Sequence, residues 1–230
     1  MSKKILIVLT NHDLFLDGKQ KTGLWLGELV HIYDLLKKSG YEIDLMSPIG
    51  GPVPLDPSSL KWPLLDNLTK SYYLNEDFQK LLQNTLNPAQ INPENYLAIC
   101  YAGGHGAMWD FPNNEQIAKI AEKIYQNGGI ISAVCHGSAG LLNIKIDNQP
   151  LVANKKVTGY SWPEEILAGK NKLAPFKLEK ELTDRGAIYS KGFIPFSSYT
   201  VSDNRLITGQ NPLSAKKLAE KILKALSKIG

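Results

Sequence analysis

The chain has 230 residues, 43% of them hydrophobic and 21% charged. That is enough apolar material for a sizeable core and too much for a disordered or fibrous chain. A net charge of +4 spread over scattered lysines leaves no concentrated footprint for specific nucleic-acid binding, and no apolar run approaches the ~20 residues that a membrane-spanning helix needs.

In chain order, the apolar run Lys4 to Thr10 reads as a buried strand. It is too short for a signal-peptide core, and no small-residue cleavage site follows it. Residues 24 to 38 read as a helix, with Leu29, Ile32, Tyr33 and Leu36 on one face. Ser39-Gly40 ends that helix, and Glu42 to Ser47 is a second strand. Residues 48 to 75 carry Pro48, Pro52, Pro54, Pro57 and Pro63 without a clean period, which predicts an irregular surface excursion. Tyr96 to Ala102 is a strand running into Gly103-Gly104-His105-Gly106. Residues 115 to 126 form a helix on Ile117, Ile120, Ala121 and Ile124, stopped by Asn127-Gly128. Gly129 to Val134 is the next strand and delivers Cys135. Two short strands then make a hairpin around Asp203-Asn204. Asn211 as N-cap and Pro212 at the first helical position open a last helix, with Leu218, Ile222 and Leu226 facing in. The alternation predicts an α/β fold with a mostly parallel central sheet, and the absence of repeats or linkers predicts one domain over residues 1–230.

Two cysteines cannot build a disulfide framework and suit a reducing, cytoplasmic compartment. Cys100 lies inside an apolar strand and reads as core. Cys135 is different. It ends a buried strand and is followed by His136-Gly137-Ser138-Ala139-Gly140, the layout of a nucleophile elbow. A helix N-terminus beneath the sulfur would favour the thiolate, and His136 could move protons near neutral pH. A buried structural thiol is the alternative reading of the same residues.

The glycines around His105 can expose backbone N–H groups of the kind an oxyanion hole requires. They lie at a strand carboxyl end, where α/β sheets bind ligands. Glu28, in the helix after the first strand, lies near the same edge; if it is buried beside Cys135, it keeps its proton. Glu164 and Glu165 are candidates to orient His136, and successive helical positions would turn one to the crevice and the other to solvent. The histidines and cysteines have no metal-ligand spacing, so neither a metal nor another cofactor is expected.

The segments TGLWLGELVHIYDLL, AGGHGAMWDFPNN, SAVCHGSAGLL and KVTGYSWPEE, with RLITGQNPLSA near the end, resemble the DJ-1/PfpI superfamily. More narrowly, they resemble its Hsp31-like branch of glyoxalase III enzymes, and the likeness runs over essentially the whole chain. The resemblance implies a flavodoxin-like three-layer sandwich, often paired as a homodimer. It makes Cys135 the nucleophile, His136 its proton-transfer partner, Glu28 the acid beside the thiol and Glu165 the third carboxylate. Oxyanion-hole duty falls on the Gly104 and His136 N–H groups, and His105 lines the pocket. The implied reaction converts methylglyoxal and water to lactate without glutathione or metal. An amidase, peptidase or deglycase on the same site and a holdase chaperone are the competing functions.

Overall fold

The computed structural model describes residues 4–228. Lys4–Val8 (β1), Glu42–Met46 (β2), Tyr96–Tyr101 (β3) and Ile130–Val134 (β4) are the parallel strands read from the sequence, shorter by one or two residues at their ends. Between them run helices Leu26–Lys38 (α1), Asn67–Tyr73 (α2), Glu76–Gln83 (α3), Ala107–Asp110 (α4) and Glu115–Gln126 (α5). After β4, Lys145–Ile146 (β5) pairs with Gln149–Pro150 (β6), and Lys156–Val157 (β7) pairs with Ile188–Tyr189 (β8). Helices Trp162–Leu167 (α6) and Leu178–Asp184 (α7) lie between β7 and β8. The chain then forms the Thr200–Asp203 (β9) and Leu206–Gly209 (β10) hairpin and helix Ala215–Leu226 (α8). The main sheet has the order β2-β1-β3-β4-β10-β9, with only the edge strand β9 antiparallel.

Ile5 through Leu9 are fully buried, because a central parallel strand is covered on both faces. α1 packs with α8, whereas α5 packs on β3 and β4. The β1–α1–β2 crossover runs one way across the sheet and β3–α5–β4 runs the other. With right-handed crossovers, this sets α1 and α5 on opposite faces. It also opens a crevice beyond the carboxyl ends of β1 and β3, where the strand order reverses. Glu28, the Gly103–Gly106 loop and Cys135 all follow strands that end at that crevice.

The predicted irregular excursion over 48–75 is corrected. It contains a 3-10 turn, Pro57–Leu60, and α2. Asp56 caps the turn through Ser58 N–H, and Asp66 caps α2 through Thr69 N–H. The Tyr72 ring sits edge-on to Tyr33 and Phe78. Proline masked these elements in the sequence because it marks a turn and a first helical position alike.

Candidate active site

The site begins with the exit from β4. Cys135 has φ 57°, a left-handed conformation that costs energy in a non-glycine residue and is concentrated at functional turns. The segment after it is a 3-10 helix, Cys135–Leu141, not the α-helix N-terminus expected beneath the sulfur. The thiol is 3% exposed. Burial, and then the Glu28 carboxyl beside it, push it well above the ordinary thiol range, against a backbone hydrogen bond from His136 that favours the thiolate. A standing thiolate is therefore the wrong expectation: the resting group is the thiol, and its proton has to be taken.

A candidate acceptor lies next to it. His136 Nδ1 is 3.4 Å from Cys135 Sγ, and His136 Nε2 is 2.8 Å from Glu165 Oε2. Because an ionised carboxylate only accepts, it fixes the proton on Nε2 and leaves the Nδ1 lone pair toward sulfur. Burial, reinforced by neighbouring His105, lowers the His136 pKa to about 4, so the ring is neutral and able to act as a base. Burial would raise Glu165, but the His136 and His105 rings prevail and hold it well below the usual carboxylate range. His105 Nε2 donates to the other oxygen, Oε1, at 2.6 Å, and its ring lies tilted against that of His136 with centroids 3.9 Å apart. His105 thus shares the carboxylate with His136 in addition to lining the pocket.

Glu28 is completely buried in α1. Its Oε2 accepts the Gly103 N–H at 2.8 Å, while Oε1 has no partner within hydrogen-bonding distance. Burial drives the carboxyl up to about 8, against the opposing influence of the neighbouring Cys135 thiol and the Gly103 N–H, so it carries a proton at neutral pH. The close approach requires glycine: a Cβ at Gly103 would meet the Glu28 carboxylate and the Cys135 Cβ. At Gly104, with φ 108°, a Cβ would run into the backbone of Gly23 and Trp25.

A cavity of about 300 Å³ opens above the sulfur. Phe15, Trp25, Leu64, Tyr160, Phe196 and Leu213 make much of its wall, and Asp56 reaches it from the supposed surface excursion. From the sequence none of these is named as a site residue; only Phe196 falls in a stretch, Gly192 to Ser198, expected to shape the rim. The available signals were Tyr160 inside GYSWPEE and Asp56-Pro57-Ser58 as a cap sequence. His105, His136 and Glu165 are all buried, with ligand atoms within 4.8 Å of one another, and are the group among the described residues that could hold a metal ion. They are joined here by the two carboxylate–imidazole hydrogen bonds.

Glu164 departs from expectation. It does not face solvent but is 0% exposed. Its Oε1 accepts Phe196 N–H and Asn211 Nδ2–H, both at 2.8 Å, and its Oε2 accepts from Ser161 N–H and Oγ–H. The sequence shows a helix first turn here but not the Phe196 and Asn211 donors, which arrive from 32 and 47 residues away. The adjacent glutamates should separate by readout. Glu165→Gln is expected to lower turnover about 10- to 100-fold with the fold retained, because His136 loses its charged partner. Glu164→Gln is expected to lower Tm, with a cost of about 1–3 kcal/mol as an amide N–H₂ meets donors. Steady-state kinetics and thermal unfolding of both variants check this; a turnover loss confined to Glu164→Gln would reverse the assignment.

Residues 22–225 match the model of the DJ-1/PfpI family. The chain belongs to the DJ-1/PfpI family. It is 36% identical to Glyoxalase 3 of Candida albicans, over 96% of this chain and 98% of that one. It is 33% identical to the glutathione-independent glyoxalase HSP31 of Saccharomyces cerevisiae, over 97% of this chain and 98% of that one. The crystal structure of Rapid Encystment Protein 24 KDa from Francisella tularensis superposes with a TM-score of 0.93 at 39% identity, covering 98% and 99% of the two chains. The expected α/β architecture and family resemblance therefore hold over nearly the whole chain.

Proposed function

We propose that this protein is a glutathione-independent glyoxalase that converts 2-oxoaldehydes to 2-hydroxy acids, with Cys135 as nucleophile. The observation that carries this reading is one buried array in which a protonated carboxyl lies beside a thiol that, together with a neutral imidazole, lines a single cavity. Two relatives aligned along nearly their full length carry the names Glyoxalase 3 and glutathione-independent glyoxalase.

In this mechanism His136 Nδ1 takes the thiol proton as sulfur adds to the aldehyde carbon, giving a hemithioacetal. The Gly104 and His136 N–H groups stabilise the oxyanion. Glu28 gives its proton to the ketone oxygen and takes the hydrogen of the former aldehyde carbon as a proton, forming an enediol; it then returns that proton to the former ketone carbon and takes one from the hydroxyl on the sulfur-bearing carbon, ending protonated as it began. The first carbon is thereby oxidised to a thioester and the second reduced to an alcohol. Water cleaves the thioester, returning the thiol and releasing the acid. No external reductant enters, because the substrate and one water contain every atom of the product.

The chain is proposed to act as one domain in the reducing cytoplasm, consistent with its two free cysteines, and to pair as a homodimer, as the family resemblance implies. Among the described residues, no helix is long and apolar enough to cross a membrane.

The test is methylglyoxal consumption by purified protein without glutathione, with the product identified. Lactate formed in stoichiometric amount is the expected result. Absence of consumption, or ammonia release from amides at the same site, would overturn the reading in favour of a hydrolase.

A further inference from the structure

Methylglyoxal occupies only part of the cavity. At about 30 Å³ for each water-sized group, 300 Å³ has room for roughly ten, about twice the non-hydrogen atoms of methylglyoxal. The reacting carbonyls are the polar part of such a substrate, and Cys135 and His136, which would handle them, line the cavity, with Glu28 buried beside the thiol. The substituent must therefore point toward the aromatic and aliphatic wall.

Asp56, Asn211 and Lys170, the charged and amide side chains of that wall, are already engaged. Asp56 accepts from Thr22 Oγ1 at 2.9 Å and Ser58 N–H at 2.8 Å. Asn211 Nδ2 donates to Glu164 and the Ser197 carbonyl. Lys170 donates to Gln20 and lies over the Phe15 ring. A charged or amide-bearing chain would have to compete for these partners, and an anionic one would meet the Asp56 carboxylate.

Phe196 points the same way. Its backbone has φ 59°, an outlier for a bulky residue, yet its ring lines the pocket. The buried Glu164 holds it there through its N–H. A fully buried carboxylate and a strained backbone together keep an aromatic ring at the substrate cavity.

We propose, on the footing of the glyoxalase reading, that the pocket selects 2-oxoaldehydes bearing a bulky, uncharged apolar substituent, aryl or branched alkyl, over methylglyoxal. The chemistry at the thiol is unchanged: thiolate addition to the aldehyde, transfer of its hydrogen to the ketone carbon and hydrolysis by one water. The substituent changes only the apolar contact.

Phenylglyoxal and methylglyoxal serve as probes, with the purified full chain and no glutathione. The expected kcat/KM for phenylglyoxal is about tenfold higher or more, in line with the discrimination an apolar pocket gives per added carbon group. Phe196→Ala and Leu213→Ser remove wall from two independent places and are expected to shrink that ratio several-fold. This distinguishes pocket selection from the intrinsic reactivity of the aryl aldehyde. If neither compound is consumed, the glyoxalase reading itself fails. Consumption of both with methylglyoxal equal or preferred overturns only the substrate class, as does a phenylglyoxal preference unaltered in both wall variants.

Discussion

Replacing Cys135 with alanine is expected to reduce methylglyoxal turnover by about a thousandfold or more, because no other group can form the covalent adduct. Cys100→Ala is expected to retain turnover while losing about 1 kcal/mol or more of stability as a core cavity opens. The contrast follows from position. Cys100 is fully buried in β3, paired with Ile7 of β1 and Ser132 of β4, and burial pushes its thiol up to about 12. Cys135 is also buried, but it lines the cavity and has His136 Nδ1 at 3.4 Å to take its proton. Cys135→Ser distinguishes the two contributions. It retains a nucleophile of similar size with a less acidic proton, so activity should remain close to that of the alanine variant. Full activity in either Cys135 variant would remove this residue from the chemistry.

The main elements were legible because buried parallel strands read as continuous apolar runs, and the helices between them keep a clear period. KILIVLT and YLAICYA could hardly be anything else. The catalytic candidates were legible for a related reason: Cys135, Gly103–Gly106 and Glu28 each come after a strand, and parallel strands all deliver their trailing residues to one edge. The features that stayed hidden depend on long-range pairing. Glu164 and Glu165 are adjacent in sequence, and nothing local says that Phe196 and Asn211 will meet the first and His105 the second. The thiolate expectation failed because the elbow turns into a 3-10 helix within the core, where desolvation outweighs the short helical turn. A sequence does not display burial at that resolution.

Glu28 provides a test that separates proton transfer from packing. Both Glu28→Gln and Glu28→Ala are expected to lose about 100-fold or more in turnover, the usual contribution of a positioned acid–base group. Glutamine preserves the shape and an acceptor for the Gly103 N–H but cannot relay a proton. Near-normal turnover in Glu28→Gln would leave His136 to act alone. The stability profile is an independent readout. Burial raises the folded-state pKa to about 8 from an ordinary 4.5, so between those values the native protein binds a proton that the unfolded chain has lost. Stability from this group is fully present below pH 4.5, declines as pH rises and is gone above pH 8. At about 1.4 kcal/mol for each tenfold difference in proton affinity between the folded and unfolded chain, the decline amounts to several kcal/mol. His136 moves in the opposite direction, to about 4 from 6.5, and costs stability as pH falls through that range. It remains in both proteins and cancels in their difference. Between pH 5 and pH 8 the urea midpoint of the wild type should therefore fall relative to that of Glu28→Gln, by the contribution of Glu28 alone. Parallel profiles for the two proteins would mean that Glu28 is ionised at neutral pH, with a negative charge beside the thiol and no proton to relay.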